Sequence, residues 1–191
     1  MMTLTLEPVI TLTSDQFYQL CLNNRELRLE RTATGELIVN PPTGGDTSRT
    51  NLDILAQLWN WNKAARLGIA FESSGGFHLP SGSDRSPDAA WVEQSRWDAL
   101  TSEQKQKFVP LCPDFVIELR SPSDRLPPLQ AKMQEYLANG CRFGWLIDRS
   151  QNQVEIYQLG QPVQILANPQ TRSGASILPG FTLDLTDVWP L

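Results

Sequence analysis

The chain has 191 residues, of which 40% are hydrophobic and 19% are charged, an ordinary composition for a protein that buries a core. We expect a single domain over residues 1–191, with an N-terminal helix and hairpin extension of about residues 1–45. The formal net charge of −5 argues against a basic surface for constitutive nucleic-acid binding, although an enzyme can still concentrate Mg²⁺ and a few Arg or Lys residues in one cleft.

The three cysteines, Cys21, Cys112 and Cys141, are odd in number and form no CxxC pair. This pattern disfavours a disulfide framework or a zinc site and indicates the reducing cytosol, with each cysteine a small core residue. No stretch approaches the ~20 apolar residues of a membrane span. The first residues also lack the features of a signal peptide. We therefore expect a cytoplasmic protein without membrane contact.

The first predicted elements are a short helix, a hairpin and a long helix. Thr13 begins a capping-box pattern, which predicts a helix over 13–23. Alternating apolar residues on both sides of the 34–35 turn predict the hairpin. Leucines at helical spacing then predict a helix over 47–67, which Gly68 ends.

Three strands follow in the predicted order. The segment 69–73 has the pattern of a strand, and the turn at Gly75-Gly76 predicts that 77–79 is its antiparallel partner. The polar stretch 80–86 is typical of a mobile loop. Beyond it, 89–92 is a short apolar strand.

The C-terminal half contains the most apolar strand. The near-continuous apolar run 115–117 favours a central strand that is buried on both faces. Prolines 127 and 128 open a helix that ends near 139. The remaining predicted elements are a partly helical stretch over 95–108, strands over 143–147 and 154–159, and short apolar pieces over 163–166 and 181–185. This order predicts a mixed central sheet flanked by helices, in the α/β or α+β class.

Several catalytic motifs are absent from the sequence. His78 is the only histidine, which removes histidine-cluster metal sites such as HExxH, and no GxSxG surrounds any serine. A Ser-His-Asp triad is therefore disfavoured, and we interpret His78 as a surface strand residue. No phosphate-binding GxxxxGK[ST] or GxGxxG pattern is present either.

Two carboxylates carry the strongest chemical signal. Asp88 opens one apolar strand and Glu118 lies near the end of the most buried one, where a charge is costly unless it is paired or bound to a metal. If these strands are neighbours, ~4.8 Å apart, the two side chains can share one Mg²⁺. The alternatives are a salt bridge from Glu118 to Arg120 or Lys132, and a turn role for Asp88 after proline.

The segments around these residues resemble a known family. They are Pro42-Thr43-Gly44-Gly45, Ser86–Val92, Pro113–Asp124, Lys132–Gly140 and Gly144–Asp148. They are similar to the Uma-type restriction endonucleases, which are abundant in cyanobacteria and belong to the PD-(D/E)XK nuclease superfamily. The resemblance covers nearly the whole chain, and it implies a restriction-endonuclease-like fold and a metal-dependent DNA endonuclease that uses Mg²⁺ or Mn²⁺.

The resemblance also assigns roles to residues. Asp88 corresponds to the first acid of the superfamily and Glu118 to the acid of its (D/E)XK element, so both are metal ligands. Asp114 is a rival for the first acid because Pro113-Asp114 also spells the motif. We favour Asp88, since the fold supplies the first acid from a neighbouring strand and Asp114 shares the strand of Glu118. Glu72, on the preceding strand, is a further candidate acid.

The chain departs from the pattern at Arg120, where the superfamily has lysine. Arginine stays protonated and cannot act as a base, but it can hold a phosphate or developing negative charge. Similar families place the lysine on the adjacent helix, where Lys132 lies at the flank of the apolar stripe and can reach a cleft. A plain solvated lysine is the alternative.

The working hypothesis is hydrolysis of DNA by water, with Lys132 orienting or deprotonating the water and Arg120 supporting negative charge. Symmetric cutting of both strands would suit a homodimer. Two alternatives remain open. One is a catalytically inactive nuclease fold that binds nucleic acid or protein, and the other is a regulatory partner without DNA binding, which the acidic composition favours.

Overall fold

The computed structural model describes residues 2–189, and its elements are numbered in chain order. Those of the first half are β1 (Met2–Leu4), α1 (Ser14–Asn23), β2 (Arg28–Arg31), β3 (Leu37–Asn40), α2 (Gly45–Ala65), β4 (Gly68–Glu72), β5 (Phe77–His78), β6 (Asp84–Arg85) and β7 (Ala89–Glu93). Those of the second half are α3 (Gln94–Asp98), α4 (Ser102–Lys105), β8 (Phe115–Arg120), α5 (Leu126–Ala138), β9 (Phe143–Asp148), β10 (Gln153–Gln158), β11 (Gln164–Ala167), β12 (Thr171–Ser173) and β13 (Thr182–Asp184).

A six-stranded mixed sheet forms the centre of the molecule, in the order β11-β10-β9-β8-β7-β4. Its only parallel pair, within the described part of the chain, is β8 with β9. The predicted mixed sheet with flanking helices is therefore confirmed. The strand predicted at 115–117 is also confirmed as central and is buried along almost all of its length.

The two faces of the central sheet pack against different helices. Phe115 and Ile117 join the apolar core beneath α2, whereas Val116 points to the opposite face and packs with Met133 of α5. Glu118 follows Val116 at the strand period of two, so its side chain lies on the α5 face. The alternation of β8 thus places a carboxylate directly below a helix.

A second sheet contains the N-terminal hairpin, in the order β1-β3-β2-β6-β5. The hairpin is confirmed, with Arg28 to Arg31 paired to Leu37 to Asn40. The helix expected before it is confirmed as well, and Thr13 forms the capping box with Gln16. This sheet lies beside the open end of β7 and β8, because β6 leads directly into β7.

The strand pairing predicted around Gly75-Gly76 is wrong. β4 pairs with β7, and β5 pairs with β6 of the other sheet. The loop predicted over 80–86 is wrong at residues 84 and 85, since Asp84 and Arg85 form β6 and are only 2% and 7% exposed. Their charges predicted exposure to solvent, but each charge is neutralised by a buried ion-pair partner. A polar sequence can therefore form a buried strand here.

Helix α2 ends two residues before the predicted boundary. Its C-cap is Arg66, which has φ 54° and is left-handed, a conformation that glycine usually provides. Gly68 instead begins β4, where a Cβ would lie 2.2 Å from the Val92 carbonyl oxygen. That glycine is required by the close approach of two strands rather than by the helix end.

No helix among residues 2–189 is long and apolar enough to cross a membrane. Cys112 and Cys141 are buried core residues, as expected, and Cys21 is half-buried. All three cysteines are free thiols.

Candidate active site

The two candidate metal ligands lie opposite each other on neighbouring strands. Ala89 of β7 is paired with Ile117 of β8, so continuing the antiparallel register by one residue places Asp88 opposite Glu118. Side chains in such cross-strand positions have Cβ atoms about 5 Å apart. The hydrogen bond from the backbone N–H of Leu119 to Asp88 Oδ2, 2.8 Å long, fixes the first carboxylate against β8.

Lys132 completes this pair from helix α5. Its Nζ lies 2.8 Å from Glu118 Oε1 and also 2.8 Å from Glu30 Oε1. The Tyr136 hydroxyl, one turn further along α5, donates a 3.0 Å hydrogen bond to the same oxygen of Glu118. The flank position predicted for Lys132 therefore brings its ammonium group into the site, and the salt bridge considered for Glu118 is present.

These groups border a cavity of about 430 Å³ at the end of the central sheet, here called the main cavity. Its floor includes Glu30, Asp88, Glu118 and Lys132. Its walls are the loop from Asn40 to Thr47, Arg28, Ser86, Leu119, Leu129 and the turn Ser121 to Asp124. The α2 N-terminus forms part of the wall, and its N-cap Gly44 provides no side-chain cap. Free N–H groups at a helix N-terminus favour a phosphate or another anion.

The charges in the cavity are strongly coupled. Burial raises the pKa of Glu118 to about 7, because desolvation and the nearby carboxylates outweigh the attraction of Lys132. Burial also raises the pKa of Asp88. The two neighbouring carboxylates raise the pKa of Lys132 despite its burial, so this lysine remains protonated at neutral pH. The floor of the cavity therefore carries three carboxyl groups, Glu30, Asp88 and Glu118, but only the one ammonium group of Lys132.

Glu30 is a site residue that the sequence did not reveal. It is only 3% exposed. Lys132 and Arg85 lower its pKa although burial opposes them. Arg85 bridges Glu30 at 3.2 Å and Glu135 of α5 at 2.6 Å. An alternating hairpin gives no sign of which polar residue faces inward, and only the tertiary structure places Glu30 of β2 beside Lys132 of α5.

Arg120 is not among the residues that line the main cavity. Its Nη1 lies 2.6 Å from Asp148 Oδ2 on β9 and donates a 3.0 Å hydrogen bond to Ser150 Oγ. Its Nε donates to the Asp124 carbonyl oxygen. The guanidinium that was expected to support negative charge is thus committed to the neighbouring strand and turn.

The two other candidate acids also lie outside the main cavity. Glu72 is exposed and accepts hydrogen bonds from Ser74 in the following turn. Asp114 is buried at the opposite end of β8, where it pairs with Arg96 at 2.9 Å and accepts the N–H of Glu93. This geometry supports Asp88 over Asp114 as the acid that accompanies Glu118.

His78 is half-buried rather than a free surface residue. Its Nδ1 lies 2.8 Å from Asp84 Oδ1, and its Nε2 lies 3.4 Å from Ser14 Oγ. This arrangement resembles a catalytic triad in outline, but Asp84 is already bound to Arg31 at 2.7 Å and Ser14 accepts from the same arginine. Neither Ser14 nor His78 lines the main cavity. We therefore interpret these contacts as structural hydrogen bonds that hold α1 against the second sheet.

The residues of the main cavity fit the divalent metal that the resemblance implies. The hydrogen bonds that Asp88 and Glu118 accept from residues 2–189 fall on one oxygen of each, which leaves a second oxygen on each carboxylate. Mg²⁺ binds through one or two carboxylates, with waters and substrate phosphates as the other ligands. No cluster of three or more potential ligand side chains occurs in the same described range.

The fold of this chain, with its mixed central sheet and flanking helices, is shared with a solved structure. The chain superposes with a TM-score of 0.77 on the crystal structure of a putative nuclease belonging to DUF820 from Anabaena variabilis ATCC 29413. The two chains are 22% identical, and the match covers 93% of this chain and 97% of that one. At this identity the likeness shows a shared fold.

Residues 14–186 match the model of the Uma2 family, described as putative restriction endonucleases. Since the match covers most of the chain, the protein belongs to this family, and the resemblance drawn from the sequence is confirmed. No match was found among curated proteins.

Proposed function

We propose that this protein is a divalent-metal-dependent endonuclease that hydrolyses DNA, with Asp88 and Glu118 as the metal ligands. The observation that carries the proposal is the cross-strand pair of acids at the floor of an open cavity, with a protonated lysine on one of them. Family membership supports the reaction class. The uncapped N-terminus of α2 in the cavity wall supports a phosphate-bearing substrate.

The structure favours one of the two roles considered for Lys132. A lysine held between Glu118 and Glu30 keeps its proton, so it cannot accept one from water. Its remaining N–H can donate to the attacking water or to a phosphate oxygen and stabilise the charge that develops there. Bound Mg²⁺ would supply Lewis-acid polarisation of the phosphate and a more acidic water. Arg120 receives no role in the reaction.

The experiment is cleavage of supercoiled plasmid and of short single- and double-stranded DNA with Mg²⁺, Mn²⁺ or EDTA. The variants are Asp88→Asn and Glu118→Gln. Glu72→Gln is the matched control, because Glu72 is an exposed acid on the neighbouring strand outside the cavity. We expect metal-dependent cutting that falls at least about a hundredfold in both site variants and is unchanged in the control. Cutting that survives both site substitutions would refute the assignment.

Two observations favour a second candidate, a non-catalytic binding module. Lys132 already neutralises Glu118, and the position that carries lysine in the superfamily holds Arg120, which is turned toward Asp148. A folded protein that cuts no DNA with any metal would support this alternative. Isothermal titration with Mn²⁺ would then show whether the two acids still bind metal.

The homodimer also stays a prediction, to be tested by sedimentation.

A further inference from the structure

A second cavity, here called the side cavity, lies next to the main one. It has a volume of about 330 Å³ and shares Arg28, Glu30, Asn40 and Ser86 with the main cavity. The two cavities therefore adjoin each other at Arg28. The Arg28 Nη2 donates a 2.9 Å hydrogen bond to the Ser73 carbonyl oxygen, which holds this guanidinium across the boundary.

The wall of the side cavity is apolar on one side and polar on the other. Leu22 and Leu27, which are 37% and 44% exposed, line this cavity together with the half-buried side chain of Phe108. Arg25 and the serines of the β4–β5 turn form the polar rim. An apolar surface edged by hydrogen-bonding groups and cations is what a nucleobase and its phosphate require.

We propose that the side cavity binds the base of the nucleotide next to the scissile phosphate, with Arg28 contacting the phosphate between them. This inference rests on the proposed function and adds the substrate class. A base inside a paired and stacked duplex cannot enter such a cavity, so the nucleotide must be unpaired. The preferred substrate is thus single-stranded DNA or DNA with an unpaired nucleotide.

The charge of the protein agrees with this substrate. Wide duplex contacts require many basic residues, and the chain carries a formal net charge of −5. A single strand that follows the two cavities meets only a few cations, namely Lys132, Arg28 and Arg25. Stacking of one base on an apolar wall can supply the affinity that phosphate contacts do not.

The test measures binding separately from cutting. Fluorescence anisotropy of the wild-type protein in EDTA compares a short labelled single strand with the matching duplex and with strands that carry one abasic nucleotide. We expect single strands to bind more tightly than duplex. An abasic nucleotide at one position should weaken binding about tenfold, the order expected when one base loses its stacking surface.

Two variants connect this effect to the side cavity. Ser74→Leu fills the cavity from the β4–β5 turn without adding a ring that could stack, and Arg25→Gln removes a rim cation. Both should weaken single-strand binding, and Ser74→Leu should abolish the abasic effect. The matched control is Ser95→Leu, at an exposed serine of α3 outside both cavities. Thermal melting checks that each variant is folded.

The outcomes separate this inference from the proposed function. Equal affinity for duplex and single strand, or an abasic effect that persists in Ser74→Leu, overturns the side cavity as a base site even if the protein cuts DNA. Base-dependent binding by a protein that cuts nothing would support the base site and reject the nuclease.

Discussion

Lys132 is held by carboxylates from two distant parts of the chain, Glu118 of the central sheet and Glu30 of the N-terminal hairpin. An ammonium between two buried carboxylates stabilises both, and removing it leaves them without their shared partner. This arrangement makes Lys132 a structural as well as a chemical residue. Its contribution to stability can be tested by the dependence of that stability on pH.

Lys132→Met should lower the free energy of unfolding by about 3 kcal/mol at pH 8, because a buried carboxylate then lacks its cation. At pH 5 the loss should be smaller, since Glu118, whose pKa is already about 7, can take up a proton instead. Urea unfolding at both pH values measures the difference. Lys63→Met, at an exposed position of α2, is the control and should change stability little.

The raised pKa of Glu118 also predicts how metal affinity depends on pH. A protonated carboxyl group is a poor ligand, so metal binding must release its proton below about pH 7. Mg²⁺ affinity should therefore rise from pH 5 to about 7 and level off above it. Calorimetric titration in buffers of different ionisation enthalpy counts the released protons. Affinity that is independent of pH over this range, or unchanged in Glu118→Gln, would contradict Glu118 as a ligand.

At the scale of elements, the N-terminal hairpin contributes to the site although the sequence presented it as an extension. Strand β2 supplies Glu30, and β6 supplies Arg85, which bridges Glu30 to α5. The hairpin thus fixes the position of Lys132 through ion pairs. Strand β2 begins beside both cavities with Arg28.

Glu30→Gln should reduce both stability and metal-dependent cutting, because Lys132 and Arg85 lose a buried partner. A loss of a few kcal/mol in unfolding free energy is expected for one half of a buried ion pair. Glu36→Gln is the matched control on the same hairpin, since Glu36 bonds only to Thr32 and Thr34 among the described residues. Equal effects of the two substitutions would mean that Glu30 does not position Lys132.

The end of α2 gives an independent prediction for the fold. Arg66 has φ 54°, a left-handed conformation that costs a residue with a Cβ about 1 kcal/mol relative to glycine. Arg66→Gly should therefore raise the melting temperature, while Arg66→Ala, which keeps the strain, should not. Differential scanning calorimetry of both variants measures the effect, and stabilisation by alanine alone would exclude this explanation.

At the scale of the whole molecule, the acidic charge and the few cations at the cavities determine the salt dependence of DNA binding. About three phosphate contacts to a single strand predict a slope near −2 in a plot of log affinity against log salt. Anisotropy titrations in EDTA over a series of salt concentrations measure it. A much steeper slope would indicate a larger basic surface than Lys132, Arg28 and Arg25 provide.

The sequence predicted elements correctly where their formation depends on residues that are close together in the chain. The capping box at Thr13, the leucine spacing of α2 and the apolar run of β8 depend on neighbours in the chain, and all three are confirmed. It failed where pairing depends on distant partners, as when β5 was assigned to β4 instead of β6. The prediction failed most clearly at buried charges. The polar residues of β6 are typical of a loop, and only their ion pairs with distant residues explain why they form a buried strand.

The sequence by itself determined the family and the mixed sheet. It also singled out Glu118 as a candidate site residue, because an acid in a doubly buried strand stands out against an apolar pattern. Only the tertiary structure decided which acids meet. It placed Asp88 opposite Glu118, brought Glu30 and Lys132 beside them, and turned Arg120 away to Asp148. The physical reason is that a charge is positioned by its partners, and these partners lie on strands and helices far apart in the chain.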